Sequence, residues 1–132
     1  RVMGLQDVEL VAVGYNTPTE NIHHPEPLHL RMFHHLVTLQ ANAYQNGTWV
    51  LASAKAGKED GFGLIGGSCI VAPTGEIAAQ AVTEGDEVIV ATCDLDFGAY
   101  IKRTIFNFAK HRRVEHYKLI TERTGAVPPP EE

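Results

Sequence analysis

A chain of 132 residues can bury one modest core, so its length fits a single domain or one half of a larger one. Its 44% hydrophobic and 20% charged content are ordinary for a globular protein, and a formal charge of −5 gives no electrostatic ground for binding nucleic acid. No apolar run approaches the roughly 20 residues of a bilayer span, and two cysteines make no disulfide framework, so a soluble cytoplasmic protein without a membrane segment is expected.

The chain opens at Arg1 into Val2-Met3-Gly4-Leu5-Gln6 with neither an initiator Met nor the features of a signal peptide, which reads as a trimmed or excised segment. Val8 to Tyr15 is a nearly continuous apolar run, the pattern of a strand buried on both faces. It stops at Asn16-Thr17-Pro18. Proline holds the residue before it extended, placing Asn16 and Thr17 at the carboxyl end of the strand, where layered α/β folds face their ligand crevices. Thr19 to Pro27 is polar and proline-containing, an irregular connection. From Leu28 the apolar residues Leu28, Met32, Phe33, Leu36, Leu39, Ala43 and Tyr44 recur at three and four, and Asn46-Gly47 supplies a left-handed stop; the spacing predicts a helix over about 28–45.

Thr48 to Ala54 is strand-like, and Lys55 to Gly67, with Gly57, Gly61, Gly63, Gly66 and Gly67 among charged residues, reads as a mobile or tightly bent loop. Ser68 to Ala72 and Glu76 to Val82 flank Pro73-Thr74-Gly75, a turn signal that folds them into a hairpin. Glu84-Gly85-Asp86 then leads into a third strand, Val88 to Leu95. After Asp94 or Asp96 as a cap, Phe97, Ile101, Ile105 and Phe108 keep a helical spacing. A short amphipathic piece lies around Tyr117 to Ile120, and residues 125–132 form a flexible proline-rich tail to a domain over 1–124. The order predicts an α/β unit with a mixed sheet and helices on one face. Two helices are few to cover buried-type strands on both sides, so the other face is expected to need a partner.

Both cysteines, Cys69 and Cys93, fall inside predicted strands, where Cys acts as a small apolar residue rather than as a nucleophile. The histidines at His23, His24, His29, His34 and His35 never stand three or four apart, as paired ligands on one helix face would, so no metal site is expected. Of these, His34, beside Phe33, is expected to be the buried one. Lys55, Lys58, Glu59 and Asp60 read as a solvated loop, and the nearby glycines match no phosphate-binding pattern. Arg112 and Arg113 beside His111 form a basic spot suited to a partner's carboxylates. Asn16 has two readings: its amide can donate to a carboxylate and accept from an amine of a ligand, or it simply caps the strand.

Several strings read together carry more: Arg1-Val2-Met3-Gly4-Leu5-Gln6, Gly14-Tyr15-Asn16-Thr17-Pro18, Phe33-His34-His35, Gln45-Asn46-Gly47, Ser68-Cys69-Ile70-Val71-Ala72-Pro73-Thr74-Gly75-Glu76-Ile77, Ile105-Phe106-Asn107-Phe108 and His111-Arg112-Arg113. In this order, from Arg1 to about Ile120, the chain resembles the carboxy-terminal half of the N-carbamoyl-D-amino acid amidohydrolases of the nitrilase superfamily. The resemblance implies half of a four-layer α-β-β-α sandwich assembled into homo-oligomers, dimers or tetramers. It implies cleavage of the carbamoyl C–N bond of N-carbamoyl-D-amino acids to the free D-amino acid, carbon dioxide and ammonia, without a cofactor. It implies a Glu general base, a Lys that stabilises the oxyanion and a Cys nucleophile, all upstream of Arg1, so this chain would hold none of the catalytic residues. It maps Asn16 and Thr17 onto the substrate pocket and His34 onto a structurally important helix histidine. The partner of the open sheet face would then be the amino-terminal half. The nearest other enzyme is a β-ureidopropionase-like amidase, and the reading of another class is a non-catalytic α/β interaction fragment.

Overall fold

The computed structural model describes residues 1–20, 23 and 26–129. A one-turn helix α1 (Val2–Leu5), which no sequence signal announces, leads through Asp7 into strand β1 (Leu10–Tyr15). Helix α2 (Leu28–Asn46) follows, two residues earlier than strand β2 (Trp49–Ala54), and Gly47 between them takes the left-handed conformation at φ 58° that ends the helix. β1 and β2 pair in parallel, Leu10 beside Trp49 through Tyr15 beside Ala54, so β1-α2-β2 is a crossover unit.

Lys55 to Gly67 departs from the expected loop. It forms a hairpin of β3 (Ala56–Glu59) and β4 (Phe62–Ile65), with Asp60 at φ 50° and Gly61 at φ 85° as its two-residue turn. Asp-Gly with both residues at positive φ matches the twist of the flanking strands, and that dipeptide was the overlooked signal. The Pro73-Thr74-Gly75 turn is as read: β5 (Cys69–Val71) and β6 (Ile77–Gln80) pair antiparallel, and β5 also pairs antiparallel with β2. The result is a mixed sheet in the order β1-β2-β5-β6.

The pleat divides the core in two. On one face Val50, Ala52, Cys69 and Val71 bury against Ala43 of α2, with Leu36, Leu39 and Tyr15 packed around them. On the other, Trp49, Ile70 and Ala72 cluster with Leu51, Ala79, Ile89, Ala91 and Cys93. The strand expected over Val88 to Leu95 is not formed. Its residues do alternate, with Ile89, Ala91 and Cys93 inward and Val88 and Val90 exposed, but no ladder partner lies beside them among the described residues. β1 also differs from expectation. As the outermost described strand it leaves Ala12, Val13 and Gly14 exposed, and the strand buried throughout is β5.

The helix over Phe97 to Phe108 is interrupted. α3 (Phe97–Arg103) ends at Thr104, and α4 (Phe108–His111) starts afresh with the Asn107 side chain accepting from Lys110 N at 3.1 Å, an N-cap that restarts the chain rather than continuing it. Asp94 Oδ1 accepts from Asp96 N at 3.0 Å, which shapes the entry into α3. A 3-10 turn at Val114–His116 precedes α5 (Lys118–Glu122), near the amphipathic piece read from the sequence. Trp49 Nε1 donates to Asp94 O at 2.8 Å and Lys102 Nζ to Asp7 Oδ1 at 2.9 Å, tying α3 to the sheet and to the turn before β1. Of the proline-rich tail, residues 130–132 lie outside the described residues, as do Asn21, Ile22, His24 and Pro25 of the connection before α2.

Candidate functional site at the end of the first strand

Asn16 and Thr17 follow directly on β1, at the carboxyl ends of the parallel pair, where a crossover unit opens its crevice. Their backbone is held from the far side by the β3–β4 hairpin. Ile65 N donates to Thr17 O at 2.9 Å, Thr19 N donates to Gly63 O at 2.8 Å, and Pro18 bridges Leu64. The hairpin that the sequence reading took for a loop is thus what fixes this strand end. The Asn16 side chain is exposed, whereas Thr17 is half-buried and lines a cavity of about 280 Å³ with Glu26, Arg31, His34, His35 and Thr38.

The histidine expected to be buried, His34, is not the buried one of the pair. His34 is exposed, with 54% of its side-chain surface open, and its Nδ1 lies 3.1 Å from Glu26 Oε1. His35 is the half-buried one. The helical phase decides this: Met32, Leu36, Leu39 and Ala43 set the sheet-facing stripe, His35 falls on its edge, and Phe33 and His34 turn outward. Tyr15, the last residue of β1, meets His35 with its hydroxyl 2.7 Å from Nε2 and the rings 4.7 Å apart. Burial pushes the Tyr15 phenol up, so it stays protonated, and burial holds the His35 imidazole below its ordinary range. The Tyr15 hydroxyl and His35 Nε2 therefore share a hydrogen bond between two neutral groups, beside the Gly67 carbonyl, which lies 3.5 Å from the Tyr15 hydroxyl.

Arg31 and Glu26 were not singled out in the sequence. Five residues apart across Pro27, they match no helical pair spacing, and only the fold brings Arg31 Nε to 3.5 Å from Glu26 Oε2 with 15% and 23% of their side chains exposed.

The remaining candidates resolve into structural roles. Cys69 is fully enclosed in the sheet, and burial pushes its thiol up, the opposite of what a nucleophile needs; Cys93 is half-buried. Lys55 and Glu59 pair along β3 on an exposed hairpin. Arg112 stacks over Tyr117 at 5.1 Å, and Arg113 donates to Lys110 O at 3.0 Å, so this basic spot is engaged within the chain. Among the described residues no group of three His, Cys, Asp or Glu is placed to hold a metal ion, and no described helix is long and apolar enough to cross a membrane.

A mixed sheet built on a parallel crossover, with helices packed against it, defines an α/β protein. The chain belongs to the carbon–nitrogen hydrolase family, whose model matches residues 1–103. A protein described as a probable nitrilase in Schizosaccharomyces pombe is 30% identical over 83 residues, 63% of this chain and 30% of that protein. Among solved structures, a carbon–nitrogen hydrolase from Helicobacter pylori G27 superposes with a TM-score of 0.77 at 22% identity, covering 93% of this chain and 44% of that one. The NitFhit protein of C. elegans does so at 0.62 and 23%, over 80% of this chain and 24% of that one. These likenesses carry the fold, and the chain spans less than half the length of each of these proteins.

Proposed function

We propose that this chain is the scaffold half of a hydrolase that cleaves the carbamoyl C–N bond of N-carbamoyl-D-amino acids, releasing the D-amino acid, carbon dioxide and ammonia. Membership of the carbon–nitrogen hydrolase family over residues 1–103 is the observation that carries it, and the D-carbamoylase strings noted in the sequence narrow the substrate. Asn16 and Thr17 form one wall of the substrate pocket. A Glu, a Lys and a Cys outside these 132 residues carry the chemistry. The Cys thiolate attacks the carbamoyl carbon, the C–N bond to the amino acid breaks as its amine takes up a proton, and water then cleaves the S–C bond to regenerate the thiol and release carbamic acid, which breaks down to carbon dioxide and ammonia. Cys69 is unsuited to that role by its burial.

The missing half packs on the open sheet face, where Ala12, Leu51, Ile70 and Val88 line a concavity of about 510 Å³. The outward stripe of α2, with Phe33, Val37 and Tyr44 exposed, supports self-association of the complete cytoplasmic enzyme into a homo-oligomer. His34 serves a structural role here, tying α2 to Glu26.

Incubating the complete protein with N-carbamoyl-D-phenylglycine, its L enantiomer and N-carbamoyl-β-alanine tests the reading. Selective release of ammonia from the D compound supports it. Preference for the β-alanine derivative assigns a β-ureidopropionase, and turnover of none leaves an interaction fragment on a hydrolase scaffold.

A further inference from the structure

Tyr15 closes β1 immediately before Asn16 and Thr17, and its side chain crosses to α2, where the hydroxyl lies 2.7 Å from His35 Nε2 and 3.5 Å from the Gly67 carbonyl. Its backbone is held as well: Lys55 N donates to Tyr15 O at 3.0 Å, which ties the residue to the end of β2. His35 in turn lines the cavity of about 280 Å³ together with Thr17. One imidazole therefore meets the Tyr15 hydroxyl and shares a cavity with the residues that follow it.

Two half-buried polar rings at the edge of an apolar stripe cost desolvation that an apolar pair of the same size would avoid. What the polar pair adds is direction, because a hydrogen bond holds both rings to a narrow range of distance and angle. From the other side the strand end is held by Ile65 N donating to Thr17 O and Thr19 N donating to Gly63 O. Asn16 and Thr17 thus sit between two anchors, the β3–β4 hairpin and the Tyr15–His35 pair. We infer that Tyr15 is a positioning residue, which through His35 holds Asn16 and Thr17 in place against the ligand they face. That this ligand is a substrate rests on the proposed hydrolase reading, whereas the anchoring of the strand end rests on the geometry of Tyr15 and His35 alone. Ligand-contacting groups work only when their support holds them to within about 0.5 Å, so loosening the anchor weakens the wall without removing any of its own atoms.

Two measurements on the complete protein test this, each comparing Tyr15→Phe with Ile101→Val, which trims a buried residue of α3 and lowers stability away from the strand end. In the first, Tyr15→Phe is expected to raise KM for N-carbamoyl-D-phenylglycine about 3-fold with kcat nearly unchanged, and Ile101→Val to leave KM unaltered. Once Asn16→Ala and Thr17→Val have removed the polar groups of the wall, Tyr15→Phe should add nothing further. An unchanged KM in Tyr15→Phe, or the same rise in a protein already lacking those groups, overturns the positioning role while leaving the hydrolase reading intact. The second, independent of turnover, follows amide hydrogen exchange at Thr19 and Ile65, whose N–H groups bond across the strand end. Exchange at these two sites at least about 5-fold faster in Tyr15→Phe than in Ile101→Val, relative to the amides of β5, supports the anchor even if the protein hydrolyses no carbamoyl compound. Equal acceleration in the two variants overturns it, whatever the turnover.

Discussion

Removing the Tyr15 hydroxyl probes the junction on which the strand end and α2 depend. Tyr15→Phe keeps the ring that packs at 4.7 Å from His35 but deletes the 2.7 Å bond to its Nε2. An intramolecular hydrogen bond contributes about 1 kcal/mol, and a half-buried polar group left without its partner costs about 1–3 kcal/mol. The expected loss for the single variant is therefore about 1–2 kcal/mol. His35→Leu removes the other partner, and in Tyr15→Phe/His35→Leu no polar atom is stranded, so the two losses should not add. Urea unfolding of the four forms of the complete protein at pH 7.5 gives the coupling energy, expected near 1 kcal/mol. Losses that add to within about 0.3 kcal/mol would show that the two side chains act independently and refute the reasoning.

Other expectations follow from the same geometry. A Cβ on Gly98 would fall 2.0 Å from the Gly47 backbone oxygen, so Gly98→Ala should force α3 off the turn and cost about 3 kcal/mol, whereas Gly85→Ala, with nothing within 4 Å, should stay within about 0.5 kcal/mol; denaturant midpoints separate them. His35 has a lowered pKa in the fold, so the unfolded chain binds its proton first. That stability is fully present above the ordinary imidazole value of about 6.5 and is lost as pH falls through it toward the folded value. Unfolding free energies from pH 7.5 to 5 should decline more steeply in the wild type than in His35→Leu, and identical slopes would sink the assignment. Asn16→Ala should raise KM for an N-carbamoyl-D-amino acid several-fold with little change in melting temperature; unchanged kinetics with a lowered melting temperature would leave only the strand-capping role.

What the sequence made legible was periodic and local. α2 was readable because its apolar residues repeat over five turns and Gly47 ends them, and the β5–β6 hairpin because Pro73-Thr74-Gly75 is a strong turn. The β3–β4 hairpin was obscured by its glycines, although Asp60-Gly61 marked it. Val88 to Leu95 has the alternation of a strand but no neighbour among the described residues to bond with, and alternation cannot say where a partner lies. His34 was read as the buried histidine in place of His35 because adjacent residues differ by about 100° in helical phase, and a broad apolar stripe that included Phe33 blurred its centre. Arg31 could not be read at all: the fold brings it to Glu26, and burial of a single polar side chain leaves no periodic trace.

The central claim, that this chain is built to serve a D-selective carbamoyl hydrolase, is tested most directly by the enantiomer ratio of the complete protein. With N-carbamoyl-D- and N-carbamoyl-L-phenylglycine supplied separately at equal concentration, ammonia release is predicted from the D enantiomer at least 100-fold faster, a difference of about 2.7 kcal/mol in transition-state stabilisation. Equal rates, or turnover of N-carbamoyl-β-alanine alone, would contradict it.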